Sequence, residues 1–118
     1  HEGPQSIRRD VNPVKLEEGM LISNEPGIYR EGEYGIRIEN IILVTKTVKT
    51  EFGDFFSFET LTLFPFDKKL INFALLNNEE LEWIENYHKK VYNSLSPFLN
   101  ETEINWLKQK IEQNYIKS

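Results

Sequence analysis

The sequence has no cysteine, one methionine and two histidines among its 118 residues. Without cysteine it cannot build the disulfide framework typical of small secreted domains, so we expect a cytoplasmic protein. No apolar run approaches the roughly 20 residues that span a bilayer, so we expect no membrane partner. The formal net charge of −5 argues against nucleic acid and anionic membrane surfaces as partners.

What the sequence does contain is the stretch SNEPGIYREGEYGIRIEN, residues 23–40, which places carboxylates in apolar, strand-like surroundings. An apolar run begins at Met20 and turns polar before Pro26. Proline cannot donate to a strand ladder and the glycine after it is conformationally free, so pairing is interrupted there. An extended segment resumes at residues 28–30, and the two glycines within residues 31–35 predict a turn.

The β-branched residues that follow predict a strand over residues 36–45. Side chains alternate along a strand, so Arg37 and Glu39 share one face. If this strand pairs with the earlier apolar run as a hairpin, Glu25 can lie near Glu39. The sequence does not define the register of that pairing.

A carboxylate among apolar strand residues allows two interpretations. Burial of an ionised carboxylate is costly unless the group is paired, hydrogen-bonded or bound to a metal. In the first interpretation Glu39 forms an ion pair with Arg37 or Arg30, or is simply exposed to solvent. In the second, Glu25 and Glu39 share a hard divalent cation, for which oxygen ligands are suited. The residues alone leave both open.

The motifs HEGP (residues 1–4), NEPGIY (24–29) and GIRIEN (35–40) resemble the C-terminal end of a pita-bread metallopeptidase. The resemblance is closest to the Xaa-Pro aminopeptidase (aminopeptidase P) branch, which is related to prolidase and methionine aminopeptidase. HEGP and the later segment SFETLTLFPFDKKLI favour the cytosolic, eukaryote-type enzyme over prolidase. The resemblance covers essentially the whole chain. It implies an α+β fold, with antiparallel strands of the catalytic domain in residues 1–66 and a helical extension in residues 67–118.

The resemblance also implies roles for individual residues. Glu25 matches the glutamate that binds one of two divalent metal ions, usually manganese, and Glu39 matches the glutamate that bridges both. His1 matches the active-site histidine that contacts the substrate and takes part in proton transfer. Arg37 matches the catalytic-site arginine that supports the carboxylates. Tyr29 lies where the family often has a tyrosine close to the substrate.

The activity implied is hydrolysis of the first peptide bond of a peptide with proline in the second position. The family uses two aspartates and a further histidine as additional metal ligands, and these have no counterpart here. Asp10 and Asp54 lack the motif context, and His88 lies within a helical pattern. We therefore expect a fragment of a longer enzyme that is inactive alone. The alternatives are a prolidase-type dipeptidase, a non-catalytic dimerisation or interaction module, and a pseudo-enzyme without metals.

After the motif region, residues 46–54 are charged and poorly periodic, which predicts an exposed loop whose first part extends a hairpin. Residues 56–63 alternate and predict a strand that ends at Pro65. Few basic residues accompany the nearby aromatics, so we expect a core cluster rather than a base-stacking platform. The cluster consists of Phe55, Phe56, Phe58, Phe64 and Phe66.

The last third of the chain is rich in helix formers. Asn77 with Glu80, and Asn100 with Glu103, have the spacing of capping boxes and predict two helix starts, and Pro97 ends the first helix. The first helix carries an apolar stripe, and the second is predicted to extend to Tyr115. The stripe consists of Leu81, Ile84, His88, Val91 and Leu95, with Tyr87 beside it. Trp83 and Trp106 lie off the stripes, and in the eukaryote-type branch these helices form a homodimer interface, so we expect a homodimer.

Overall fold

The computed structural model describes residues 3–112, apart from the side chain of Thr47. The chain divides into two compact units, one ending at Thr62 and the other beginning at Leu63. The sequence analysis placed the division after Phe66. Leu63 and Phe66 pack against the buried residues of the second unit, which is why the structural division falls earlier.

The first unit is built from five antiparallel strands: β1 (Leu21–Asn24), β2 (Gly27–Arg30), β3 (Tyr34–Arg37), β4 (Asn40–Thr50) and β5 (Gly53–Thr60). One sheet has the order β1-β4-β5, and β2 pairs with β3 in a second. Ile22, Ile42 and Val44 form the buried core, against which Leu16 and Met20 pack. The buried contacts of the sheet thus lie where β1 pairs with β4, directly beside the motif region.

The β1–β4 pair and the β2–β3 pair follow one continuous register. Asn24 is paired with Asn40 at the end of β1, and Gly27 is paired with Arg37 at the start of β2. Two residues on each strand separate these pairs, and the Ile38 amide donates to the Pro26 carbonyl at 3.2 Å across the gap. The chain from residue 21 to residue 43 is therefore one long hairpin whose pairing is interrupted at the proline, as a residue without an amide donor requires.

Two strand predictions were wrong. The predicted strand over residues 36–45 is split into β3 and β4, because pairing is interrupted opposite Pro26. The predicted loop over residues 46–54 is mostly strand: β4 continues to Thr50 and pairs with β5, with a register shift between Lys46 and Val48. The shift breaks the alternation that identifies a strand in a sequence, which explains the misassignment.

The phenylalanine cluster is not a core in the described chain. Phe55, Phe56, Phe58 and Phe64 are between 42% and 62% exposed. Each residue of β5 before its last is exposed, so neither face of this strand is covered within the first unit. Only Phe66 of the predicted cluster packs against a buried cluster, in the second unit. The composition correctly indicated apolar strand residues but could not indicate what covers them.

The second unit contains the helices α1 (Asn78–Leu95) and α2 (Glu101–Ile111) and three short 3-10 helices, Lys68–Leu70, Phe73–Leu75 and Ser96–Phe98. Both predicted capping boxes are confirmed, with reciprocal bonds between Asn77 and Glu80 and between Asn100 and Glu103. The helix α1 ends two residues before Pro97, as predicted. Tyr115 lies outside the described residues. Among the helices of residues 3–112, none is long and apolar enough to cross a membrane.

The core of the second unit joins an extended segment to α1. Tyr87, Val91 and Leu107 are buried together. The Tyr87 hydroxyl donates to the Phe64 carbonyl at 2.8 Å, and His88 Nε2 accepts from the Phe66 amide at 3.2 Å. His88 is 1% exposed, so it is a packed core histidine. Two side chains of one helical turn thus hold the segment that leaves β5.

Candidate functional site

The interrupted hairpin places the two motif carboxylates opposite each other. In the shared register, Glu25 on the first strand faces Glu39 on the second. Directly opposite residues of an antiparallel pair have Cβ atoms about 4.5–5.5 Å apart, which is within the span of a shared cation. The sequence does not define this register, and the structure shows that it brings Glu25 close to Glu39.

Arg37 lies between the two carboxylates. Its Nε is 3.4 Å from Glu39 Oε2, and its NH1 is 4.0 Å from Glu25 Oε1. The predicted shared face of Arg37 and Glu39 is therefore observed. The two carboxylates and the guanidinium thus form one cluster of charged groups on this face of the hairpin.

The two carboxylates differ in exposure. The Glu25 side chain is 9% exposed, whereas Glu39 and Arg37 are 39% and 48% exposed. A nearly buried carboxylate is stable only with compensation, and the Arg37 contact at 4.0 Å is long for a direct hydrogen bond. The Glu25 side chain is thus largely buried, whereas the Glu39 and Arg37 side chains remain accessible to solvent.

Glu25 also lines an open cleft of about 510 Å³. The remaining wall residues are Gly3, residues 5–8 and residues 21–24, with Pro26 at the end. The Gln5 side-chain amide donates to the Leu21 carbonyl at 3.1 Å, which holds this wall of the cleft against β1. The described end of the HEGP motif therefore lies at the same cleft as Glu25.

Tyr29 lies on the same face of the hairpin as the carboxylates. It is paired with Gly35, and the next rows on that face are Gly27 with Arg37 and then Glu25 with Glu39. Its ring covers both glycines: a Cβ at Gly35 would lie 2.8 Å from Tyr29 Cδ1, and a Cβ at Gly27 would lie 2.6 Å from the hydroxyl oxygen. The hydroxyl end therefore points along the strand toward Arg37.

The structure brings together Glu25, Glu39, Arg37 and Tyr29 on one face. His1 lies outside the described residues. Within the described part of the chain, no group of three or more histidine, cysteine, aspartate or glutamate side chains could hold a metal ion. Asp54 is paired with Lys46 at 3.4 Å. A complete metal site from these carboxylates therefore needs ligands from elsewhere.

Sequence reasoning missed Gly27 and Gly35. Gly27 was interpreted as an interruption and Gly35 as part of a turn, but both lie in strands, and only Gly32 of the turn segment has a positive φ. The signal that identifies them is a tyrosine directly opposite one glycine and two residues from the other. That signal appears only once the register is known.

Family models match most of this chain. A family model described as the C-terminal region of peptidase_M24 matches residues 54–114, and the model of metallopeptidase family M24 matches residues 1–46. The chain belongs to metallopeptidase family M24. One M24 model ends within β4 and the other begins in β5, so the motifs of residues 24–40 fall in the first and the two helices in the second.

Individual M24 relatives are similar over nearly the whole chain. Xaa-Pro aminopeptidase 1 of Dictyostelium discoideum is 42% identical over 120 residues, covering 95% of this chain and 19% of the relative. Aminopeptidase P1 of Arabidopsis thaliana is 42% identical over 118 residues, covering 95% of this chain and 18% of the relative. The chain thus spans about a fifth of the length of these relatives.

A solved M24 structure has the same fold. The crystal structure of X-prolyl aminopeptidase from Caenorhabditis elegans, described as a cytosolic enzyme with a di-nuclear active site, superposes with a TM-score of 0.77 at 30% identity. The match covers 95% of this chain and 19% of that chain. The predicted resemblance to the C-terminal part of an Xaa-Pro aminopeptidase, and the α+β fold class, are confirmed.

Proposed function

We propose that this chain supplies part of the two-metal site of an Xaa-Pro aminopeptidase, with Glu25 and Glu39 as metal ligands. The observation that carries the proposal is the position of Glu25 opposite Glu39 across one continuous register, with Arg37 between them. The relatives named above are Xaa-Pro aminopeptidases, which favours this activity over that of a prolidase-type dipeptidase.

The residues fit a pair of hard divalent cations. Both donors are carboxylates, whose oxygen atoms suit manganese and magnesium. They lie on the two arms of the hairpin, each between two paired strands, and paired strands are a rigid support for a metal ligand. We propose manganese as the metal, and we propose that the missing ligands come from chain outside residues 1–118. Bound metal ions of this kind polarise a carbonyl and supply a hydroxide nucleophile at neutral pH.

Each residue of the chain then has a defined task. Glu39 and Glu25 would hold the two metal ions. The Arg37 guanidinium lies beside one oxygen of Glu39 and offsets the repulsion between the two carboxylates, which keeps both side chains oriented. His1 contacts the substrate and carries protons, and Tyr29 contributes to the substrate site beside Arg37.

The proposed substrate is a peptide with proline in the second position. The nitrogen of an Xaa-Pro bond has no hydrogen, which removes a donor that most peptidases bind. The open cleft lined by Glu25 and by residues 5–8 lies beside the Glu25 carboxylate. A cytosolic location, as described for the nematode enzyme, is part of the proposal.

A second proposal concerns the helical unit, which we propose as a homodimer contact. Trp83 and Trp106 are 50% and 45% exposed, although Trp83 stacks on Tyr87 and the Trp106 ring lies tilted against Phe64. An aromatic residue that is half covered within a unit offers its remaining face to a partner. In this proposal the helical unit mediates dimer formation and the strand unit carries the metal ligands. The interaction-module alternative then applies only to the helical unit.

The activity is tested with the full-length enzyme that contains this chain and with residues 1–118 alone. Matched peptides with proline or alanine in the second position are incubated with each protein and manganese. We expect the full-length enzyme to cleave only the proline peptide, and residues 1–118 to cleave neither, because two carboxylates alone leave the metals poorly held. Cleavage by residues 1–118, or equal cleavage of both peptides by the full-length enzyme, would contradict the proposal.

A further inference from the structure

The Tyr29 ring occupies space that exists only because two neighbouring residues lack side chains. A Cβ at Gly27 would lie 2.6 Å from the Tyr29 hydroxyl oxygen and 2.8 Å from Cε2 and Cζ. A Cβ at Gly35 would lie 2.8 Å from Cδ1 and 3.2 Å from Cε1. Carbon contacts are optimal at about 3.5–4.0 Å, so any residue other than glycine at these positions forces the ring to move.

Backbone conformation does not explain these glycines. Among the described residues, the glycines with positive φ are Gly19, Gly32 and Gly53. Gly27 and Gly35 lie in β2 and β3 with ordinary strand pairing. Glycine within a regular element is destabilising relative to alanine, so two of them on one face of one hairpin need another reason.

The reason is where they direct Tyr29. The base of the ring lies over Gly35 and the hydroxyl end over Gly27, which is paired with Arg37. Without the glycines, a tyrosine on a strand stands roughly perpendicular to the sheet. With them, the ring lies down along the strand toward the row of Glu25 and Glu39. Tyr29 is 65% exposed, so packing elsewhere does not hold it in this orientation.

We propose that Gly27 and Gly35 form a two-glycine seat whose role is to position the Tyr29 hydroxyl beside Arg37 and the carboxylates. The two glycines are positioning residues: they act through Tyr29 and do not touch substrate. This inference rests on the proposed function, and it adds the residues that set the placement of Tyr29 within that site.

The test is a double-mutant cycle in the full-length enzyme that contains this chain, using Gly35→Ala, Tyr29→Ala and the double variant. We expect Gly35→Ala to lower kcat/KM about tenfold to 100-fold, since a misplacement of about 1 Å near a reacting centre has effects of that size. In the Tyr29→Ala background, Gly35→Ala should have no further effect. The displaced ring has solvent to move into, so we expect the variant to fold.

A merely structural role of the glycine gives a different pattern. In that case Gly35→Ala leaves kcat/KM near wild type whatever its effect on the unfolding midpoint, or its effect on kcat/KM persists in the Tyr29→Ala background. Either result overturns the seat. If the unmodified enzyme does not cleave Xaa-Pro peptides, the proposed function fails separately. The cycle is then evaluated on the unfolding midpoint, where the seat requires that Gly35→Ala destabilises only when Tyr29 is present.

Discussion

Glu25 faces Glu39 across an antiparallel register that continues on both sides of Pro26. Two carboxylates on adjacent strands repel each other unless a positive charge lies between them. Arg37 supplies part of that charge, at 3.4 Å from Glu39 and 4.0 Å from Glu25. The predictions for Arg37 and for Glu39 depend on this arrangement.

Replacing Arg37 should impair the site without unfolding the hairpin. We expect Arg37→Ala in the full-length enzyme to lower kcat/KM about tenfold to 100-fold, the usual effect of removing a residue that orients a metal ligand. Arg37→Lys should recover only part, because an ammonium lacks the planar fork of a guanidinium. The measurement is steady-state cleavage of an Xaa-Pro peptide.

Arg30→Ala is the matched control for that experiment. Arg30 is on the same hairpin and pairs with Glu33 at 3.6 Å, with both side chains more than 60% exposed. Exposed pairs of this kind contribute about 0–1 kcal/mol, so the control should keep wild-type activity. Equal losses in Arg37→Ala and Arg30→Ala would show that Arg37 has no special role.

Acid should weaken the second unit through His88. Burial lowers the pKa of His88 below its ordinary value of 6.5, and the nearby Lys68 charge lowers that pKa further. The unfolded state then binds more protons than the folded state below pH 6.5, so the stabilising contribution is complete above that pH and falls as the pH decreases. Protonation would also remove the Nε2 acceptor for the Phe66 amide.

His88→Gln tests this dependence because glutamine offers an acceptor that does not titrate. Thermal unfolding of wild type and variant is followed from pH 5 to pH 8. We expect the advantage of the wild type to shrink as the pH falls below 6.5 and to be constant above it. A gap between the two proteins that does not change with pH would refute the assignment to His88.

The helical unit should mediate dimer formation through its half-exposed tryptophans. We expect Trp83→Ala combined with Trp106→Ala to shift the full-length enzyme from dimer to monomer in analytical ultracentrifugation, since buried aromatics dominate interface energies. Phe98→Ala is a suitable control, because Phe98 is 86% exposed in the same unit and lies in a separate 3-10 helix. An unchanged sedimentation coefficient in the double variant would remove the dimer proposal.

Local signals in the sequence predicted the helices well. The capping boxes at Asn77 and Asn100 depend only on residues three positions apart, and both are formed. The stop before Pro97 is equally local. The contact between Arg37 and Glu39 likewise follows from the alternation of residues two positions apart. These features depend on short-range chemistry, which a sequence displays directly.

Long-range pairing was not predictable in the same way. The register that brings Glu25 to Glu39, the interruption that divides β3 from β4, and the seat of Tyr29 on Gly35 all depend on which strand residues face each other. Periodicity identifies a strand but not its partner. Phe56 and Phe58 illustrate the same limit, because their apolar character does not reveal whether this chain covers them.

The most direct test of the central claim is the metal content of Glu39→Gln in the full-length enzyme, measured by elemental analysis after gel filtration with manganese. Glutamine keeps the shape of the side chain and removes its charge. Glu33→Gln is the control, since Glu33 lies in the exposed turn of the same hairpin. The account predicts that Glu39→Gln loses most of its bound metal while Glu33→Gln keeps the wild-type content. Equal metal content in the two variants would contradict the role of Glu39 as a metal ligand.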